Sequence, residues 1–221
     1  MKQQDVELKR NKTMPKRAYS PKEVLAKTYK TLPWDGEWAE AFGLPTVNET
    51  WLIHGQSGSG KSSFVMQLAR KLTEYGTVLF MSYEEGVGQS FQKRIERFKM
   101  SEVQGRFRIA TSDTIEELTA RLKCKKSPRF VIIDSLQAAG WDYPETEALI
   151  KRFPRKCFIF ISQEYKGQPM GKPAQKVKYL AGVKVRVSGY KAYCQGRFIP
   201  APGVYYPVWV EGILKTTNNT K

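Results

Sequence analysis

Histidine is almost missing from this sequence: a single His54 stands in 221 residues. Imidazole-based acid–base or metal chemistry has little to draw on, and His54 lies in an apolar run where it reads as a packed strand residue. Cysteine is scarce as well. Cys124, Cys157 and Cys194 are odd in number, far apart, and without a second Cys or a His at ligand spacing, which excludes a disulfide framework or a zinc ribbon and leaves reduced structural thiols. No stretch approaches the roughly 18 apolar residues of a spanning helix. The first residues lack the apolar core of a secretion signal, so a cytoplasmic protein with no membrane association is expected. There is no internal repeat and no low-complexity tract. Acid is also in short supply, with 21 Asp and Glu against 37 Lys and Arg and a formal charge of +16. That surplus predicts attraction to polyanions, nucleic acid first and an anionic membrane surface as the rival.

What is present is enough apolar material, 41% of the chain, to bury the core of one α/β domain. Residues 1–28 are rich in Lys and Arg and poor in apolar groups, and are expected to form a basic flexible arm. Residues 29–215 form the predicted domain and 216–221 a polar tail. Trp34, Trp38 and Phe42 recur at helical spacing between Tyr29 and Phe42 and predict a helix packed as a satellite on the core, with a nucleotide-base platform as the alternative. Strand and helix signals then alternate. Strands are predicted at Trp51–Ile53, Thr77–Ser82, Phe107–Ala110, Phe130–Ile133 and Phe158–Ile161. Helices are predicted at Ser63–Tyr75, Val87–Met100, Ile115–Leu122 and Thr146–Phe153. This order predicts a mostly parallel sheet with helices on both faces. Beyond Ala181, Val183, Val185 and Val187 alternate with Lys184 and Arg186. A turn at Ser188-Gly189, then Lys191–Ile199 and Val204–Val210, predicts a closing antiparallel hairpin or meander.

The run Gly55-Gln56-Ser57-Gly58-Ser59-Gly60-Lys61-Ser62-Ser63 joins the first strand to its helix. Its G-x-x-x-x-G-K-S spacing lets backbone N–H groups converge on phosphate oxygens, and the new helix aims its positive end at the same anion. Lys61 is expected to contact the β- and γ-phosphates of ATP and Ser62 to hold Mg²⁺ through its hydroxyl. A glycine turn that binds nothing is the bland alternative. The apolar strand ending in Asp134-Ser135 places a carboxylate where it would hold the Mg²⁺ water shell. Glu84 and Glu85 follow the second strand at the end where parallel sheets bind ligands. One of them would activate the water that attacks the γ-phosphate, unless both merely open the next helix, where negative charge suits the N-terminus.

Taken together, Gly55–Ser62, Val78–Gln89 and Val131–Gln137 resemble the RecA-fold ATPases, and among them the RadA branch most. The likeness spans roughly residues 45 to 200. It implies a RecA-like α/β fold, Glu84 as the catalytic glutamate with Glu85 beside it, and Gln163, ending the strand Phe158–Ile161, as a γ-phosphate sensor that relays to the following loop. In such proteins that loop, here Glu164 to Pro173, often meets DNA, and Lys166, Lys172, Lys176 and Lys178 become candidate DNA contacts. Lys184, Arg186 and Arg197 are candidates to reach a neighbouring subunit's nucleotide in a ring or filament. Gln195-Gly196-Arg197-Phe198 faintly resembles the KNRFG element of RadA. That element's lysine, the zinc finger and the protease-like domain have no counterpart in this sequence.

Between Lys151 and Arg197 twelve basic residues face Glu164 as the sole acid. Read as one block beside the sensing loop, they predict backbone-driven, weakly selective DNA binding, single strands favoured, with a log–log salt slope of about −0.9 per phosphate on duplex and about −0.7 on single strands. Tyr165, Tyr179 and Tyr190 either stack on bases or pack internally. The reading is an ATP- and Mg²⁺-dependent ATPase acting on DNA in recombination, repair or replication. Its alternatives are a nucleotide-gated accessory or loader with little turnover and, with less in its favour, a P-loop phosphotransferase.

Overall fold

Four near-continuous apolar runs, Trp51–Ile53, Val78–Met81, Phe130–Ile133 and Phe158–Ile161, decide the architecture, because each is buried on both faces and must be covered on both sides. The computed structural model describes residues 17–199 and 201–218. From the N-terminus come α1 (Pro21–Leu25), α2 (Gly36–Phe42), β1 (Trp51–Gly55), α3 (Lys61–Leu72), β2 (Val78–Ser82) and α4 (Gln89–Arg97). A 3-10 turn at Met100–Val103 leads to β3 (Phe107–Ala110), α5 (Ile115–Lys123), β4 (Phe130–Asp134), α6 (Leu136–Ala139) and α7 (Tyr143–Arg152). The remainder is β5 (Cys157–Tyr165), β6 (Gln168–Pro169), α8 (Lys172–Leu180), β7 (Val183–Ser188), β8 (Lys191–Cys194), β9 (Tyr205–Pro207) and α9 (Val210–Asn218).

The sheet order is β3-β2-β4-β5-β1-β7-β8-β9, with β6 added to the end of β5. The pairs from β3 through to β7 are parallel, and β7–β8 and β8–β9 are antiparallel. Successive residues feed two cores. Trp51, Ile53, Phe80, Phe130 and Ile132 join α2, α3 and α4 on one face. Leu52, Leu79, Met81, Val131, Ile133 and Phe160 join α5, α7 and α8 on the other. The expected mostly parallel sheet, with helices on both faces and an antiparallel close, is the observed one.

Several local expectations differ. The Tyr29–Phe42 segment is helical only from Gly36. Pro33 disfavours helix for the residue before it, and Leu32 instead donates its N–H to Pro45 O at 2.8 Å. Trp34 and Phe42 are not a satellite: both are buried within the main core, ring against ring with Trp51 and Phe64. The second strand of the closing hairpin stops at Cys194 rather than Ile199, because the chain folds back so that Arg197 N–H meets Gly182 O at 2.9 Å. Gly196 lies so close to that carbonyl that a Cβ there would sit 2.6 Å from it. The expected strand Val204–Val210 is β only over Tyr205–Pro207 and turns into α9, which also runs past the expected domain boundary at 215. Of the expected N-terminal arm, residues 1–16 lie outside the described residues. Within 17–28 Ser20 and Glu23 form a reciprocal cap on α1.

Candidate functional site

The strand register aligns the ends of four parallel strands. Gly55 at the end of β1 is level with Gln163 in β5, and Ser82 in β2 is level with Asp134 in β4. Neighbouring strands stand about 4.8 Å apart, so residues distant in sequence are brought along one sheet edge. The glycine loop leaves β1 and enters α3, with Gly58 and Gly60 at φ of 75° and 94°. A side chain is excluded at Gly60 for a second reason, since its Cβ would lie 2.9 Å from the Tyr190 ring. The turn after β7 braces the loop through Tyr190 N–H, which donates to Ser59 O at 3.0 Å.

These residues border a cavity of about 520 Å³, which Glu84, Gln163, Glu164 and Tyr190 complete. Lys61 is partly buried, and loss of hydration draws its pKa down while Asp134, Glu84 and Glu164 pull it up. Asp134 is pushed up to about 6, first by burial and then by the Glu84 charge, with Lys61 opposing. Gln163 Nε2 donates to Glu84 Oε1 at 3.3 Å, so the expected sensor and the expected catalytic acid touch. Glu85 points elsewhere and is held by Ser90 and Arg94. Of the two acids, only Glu84 faces the cavity.

The donor set bears on Mg²⁺. No group of three or more His, Cys, Asp or Glu that would hold a metal occurs among the described residues. Magnesium is commonly held by one or two protein oxygens plus waters and substrate phosphates. Asp134 and the Ser62 hydroxyl fit that pattern, and a cation would relieve the mutual repulsion of Asp134 and Glu84.

Glu164 was expected in a loop but belongs to β5, which runs to Tyr165. Its side chain is 1% exposed and accepts two bonds from Arg186, at 3.0 and 2.9 Å, with His54 Nδ1 at 3.0 Å. Arg186 is thus occupied within its own chain. Lys184 is half-buried and Arg197 is exposed, and neither has an ion-pair partner among the described residues. The sequence clue to Glu164 was its position as the one acid in a basic tract.

Sequence reading also passed over Gln137. Its Nε2 donates to Ser162 Oγ at 2.9 Å and to Met170 O at 2.6 Å, while its Oε1 accepts from Gln163 N at 3.2 Å. Met170 N–H returns to Gln163 O at 2.9 Å. Gln163, the expected sensor, is therefore tied to the segment that opens α8. The expected loop Glu164 to Pro173 is an ordered β5–β6 hairpin followed by the first turn of that helix. Around it Lys166, Lys172 and Lys176 are exposed, Tyr165 is 64% and Tyr179 83% exposed, and Lys178 bonds Gln168 at 2.9 Å. Tyr190 instead packs edge-on against Trp209, with ring centres 4.9 Å apart.

No protein-family model matches the chain. An 86-residue segment is 34% identical to the DNA repair protein RadA of Streptococcus pneumoniae, covering 39% of this chain and 20% of the relative. The RadA of Streptococcus pyogenes serotype M6 matches at the same identity over 18% of its length. The match thus spans about a fifth of these relatives. The flagellar accessory protein FlaH of Methanocaldococcus jannaschii superposes with a TM-score of 0.51 at 18% identity, covering 72% of this chain and 82% of that one.

Proposed function

From the premise that this chain is a RecA-like P-loop protein related to RadA, we propose that it binds ATP with Mg²⁺, hydrolyses it, and passes the state of the γ-phosphate to a DNA-binding surface. The observation that carries the reading is the Gln163–Glu84 hydrogen bond at 3.3 Å beside Lys61 and Asp134. The glycine loop and the α3 N-terminus would cradle the phosphates, and Lys61 would meet the β- and γ-oxygens. Mg²⁺, when bound through Ser62, Asp134 and the phosphates, would supply charge neutralisation at the transferring group. Glu84 would accept a hydrogen bond from the attacking water and take its proton as the P–O bond forms, and ADP would leave with the bridging oxygen. Gln163 would exchange its bond to Glu84 for one to the γ-phosphate. Through Gln137 and Met170 that exchange would reposition the hairpin and α8 carrying Lys166, Lys172, Lys176 and Lys178. The exposed Tyr165 and Tyr179 beside those cations favour single-stranded DNA, because rings stack on unpaired bases. The RadA relatives are DNA repair proteins, which supports assigning this chain to work on DNA.

Phosphate release measured with and without single-stranded DNA across a salt series tests the whole reading. Stimulation that fades with salt is expected. Tight ATP binding with no release at any salt would instead make the chain a nucleotide-gated accessory. A Glu84→Gln protein should keep its ATP affinity and lose about 10²- to 10⁴-fold in turnover. Undiminished hydrolysis in that variant removes Glu84 from its role.

A further inference from the structure

Read along the sequence, the basic tract looked continuous, but β5 divides it. Its nine residues, at about 3.3 Å each, set Lys166, just past its end, roughly 30 Å from Arg155 and Lys156, just before its start. Lys166 and Lys172 lie at the nucleotide end, Lys176 and Lys178 follow along α8 as it runs back, and Arg152, Arg155 and Lys156 lie at the other end. There, where α5 and α7 end and β4 and β5 begin, a cleft of about 540 Å³ is lined by Lys123, Lys125, Arg129, Arg152, Arg155 and Lys156, with no carboxylate among the lining residues. Lys156 is fixed across its floor, donating to Ser127 Oγ at 2.8 Å and Pro128 O at 2.7 Å. Burial and the neighbouring Arg129 hold the Lys156 pKa below its ordinary value. None of the other five has an ion-pair partner among the described residues, whereas the adjacent Arg121 and Lys151 are paired with Asp113 and Glu147.

Helix ends account for only part of this cluster. Lys123 and Arg152 lie in last turns, where cations suit the negative end of the helix dipole. Lys125, Arg129 and Arg155 lie outside both helices. We propose that this cleft is a second nucleic-acid site, built for the phosphate backbone of duplex DNA and separate from the nucleotide-linked surface. Unpaired cations spread over two loops and two helix ends match a succession of phosphates. Of the large apolar side chains that stand exposed, none falls within 122–129 or 151–156. The one ring among the lining residues, Phe153, is partly buried and packed against the core, so the cleft presents no exposed ring to stack on an unpaired base and no exposed apolar side chain to insert into a lipid surface. Its partner is one that presents charge and keeps its bases inside.

The test is fluorescence anisotropy of a labelled DNA duplex across a salt series, with nucleotide-free full-length protein, so that it does not depend on ATP hydrolysis. Lys125→Ala/Arg152→Ala/Arg155→Ala removes three exposed cations from the cleft. Lys22→Ala/Lys93→Ala/Lys215→Ala removes three exposed cations outside the cleft lining and serves as the net-charge control. The cleft variant should flatten the log–log salt slope by about 2 to 3, at about 0.9 per lost phosphate contact. The control should leave it within about 1, since charges farther than a screening length of about 10 Å count little. ATP affinity should be unchanged in both, which certifies the fold. Equal losses in both variants would reduce the cleft to a net-charge effect and overturn the proposal. An unchanged slope in the cleft variant, or a loss seen with a single strand and not with duplex, overturns it equally.

Discussion

Asp134 stands between a cation and a carboxylate, and that position gives it a measurable signature. Its carboxyl is pushed up to about 6 by burial and by Glu84, against the pull of Lys61. In an unfolded chain an aspartate titrates near about 3.9. A folded value above the unfolded one contributes stability that is fully present below about pH 4 and is lost as pH rises through about 6. The nucleotide-free protein should therefore lose stability relative to Asp134→Asn as pH rises across that window. The slope of the difference should reach at most about 1.4 kcal/mol per pH unit for the one proton involved. Denaturant unfolding of both proteins at matched pH values measures it, and a difference flat with pH would contradict the burial of this carboxyl. On the proposed function, the binding of Mg²⁺ with ATP would have the opposite sign. It requires the ionised form, so affinity should weaken below about pH 6, by up to about tenfold per unit.

At the level of elements, β7 is held to the rest of the sheet by more than its ladder with β1. Arg186 projects from β7 onto Glu164 of β5, across the intervening β1, where His54 joins them. The Arg186 hydrogen bonds hold the Glu164 carboxyl below its ordinary range against its burial. Removing one partner of a fully buried pair costs about 3–5 kcal/mol. With the Arg186 side chain 38% exposed, Arg186→Ala should cost less, about 2 kcal/mol at neutral pH on the same reasoning. A depressed carboxylate contributes stability above its unfolded pKa that is lost as pH falls, so this cost should shrink in acid. Chemical unfolding of the nucleotide-free protein reads both effects. Stability unchanged by the substitution would mean that Arg186 is free to serve a neighbour instead. The pair also shows where sequence reading ran out. The glycine loop, the strand ending in Asp134 and the apolar alternation are local signals, legible because each is written in five to nine consecutive residues. That β5 continues to Tyr165, and that Glu164 turns inward, depends on the register with β1 and on a cation twenty-two residues away. The hairpin's end misled for a related reason. Val208, Trp209 and Val210 resemble a strand, and only the β8–β9 pairing shows the ladder stopping at Pro207.

On the scale of the whole molecule, the surplus positive charge lies outside the glycine-loop cavity. Lys61 is the one Lys or Arg among the residues lining that cavity, where Glu84 and Glu164 also stand, with Asp134 close enough to act on the same lysine. A triphosphate entering there meets more negative than positive protein charge, and charge developing in the transition state calls for a further donor. Mg²⁺ is one. An arginine from a second copy of the chain is another, and Arg197 is exposed and unpaired among the described residues, whereas Arg186 is committed to Glu164. A head-to-tail contact that places Arg197 over the neighbour's cavity would be heterologous and would generate a ring or a filament. Each Lys61→Ala subunit would then retain a competent Arg197, and each Arg197→Ala subunit a competent phosphate loop. Mixing the two inactive proteins in equal amounts should restore turnover to roughly a quarter of wild type, the fraction of randomly paired interfaces in which both working halves meet. Phosphate release from the mixture, compared with each variant alone at the same total concentration, measures this. A mixture no more active than the mean of its components would confine the site to one chain and leave Mg²⁺ to offset the charge.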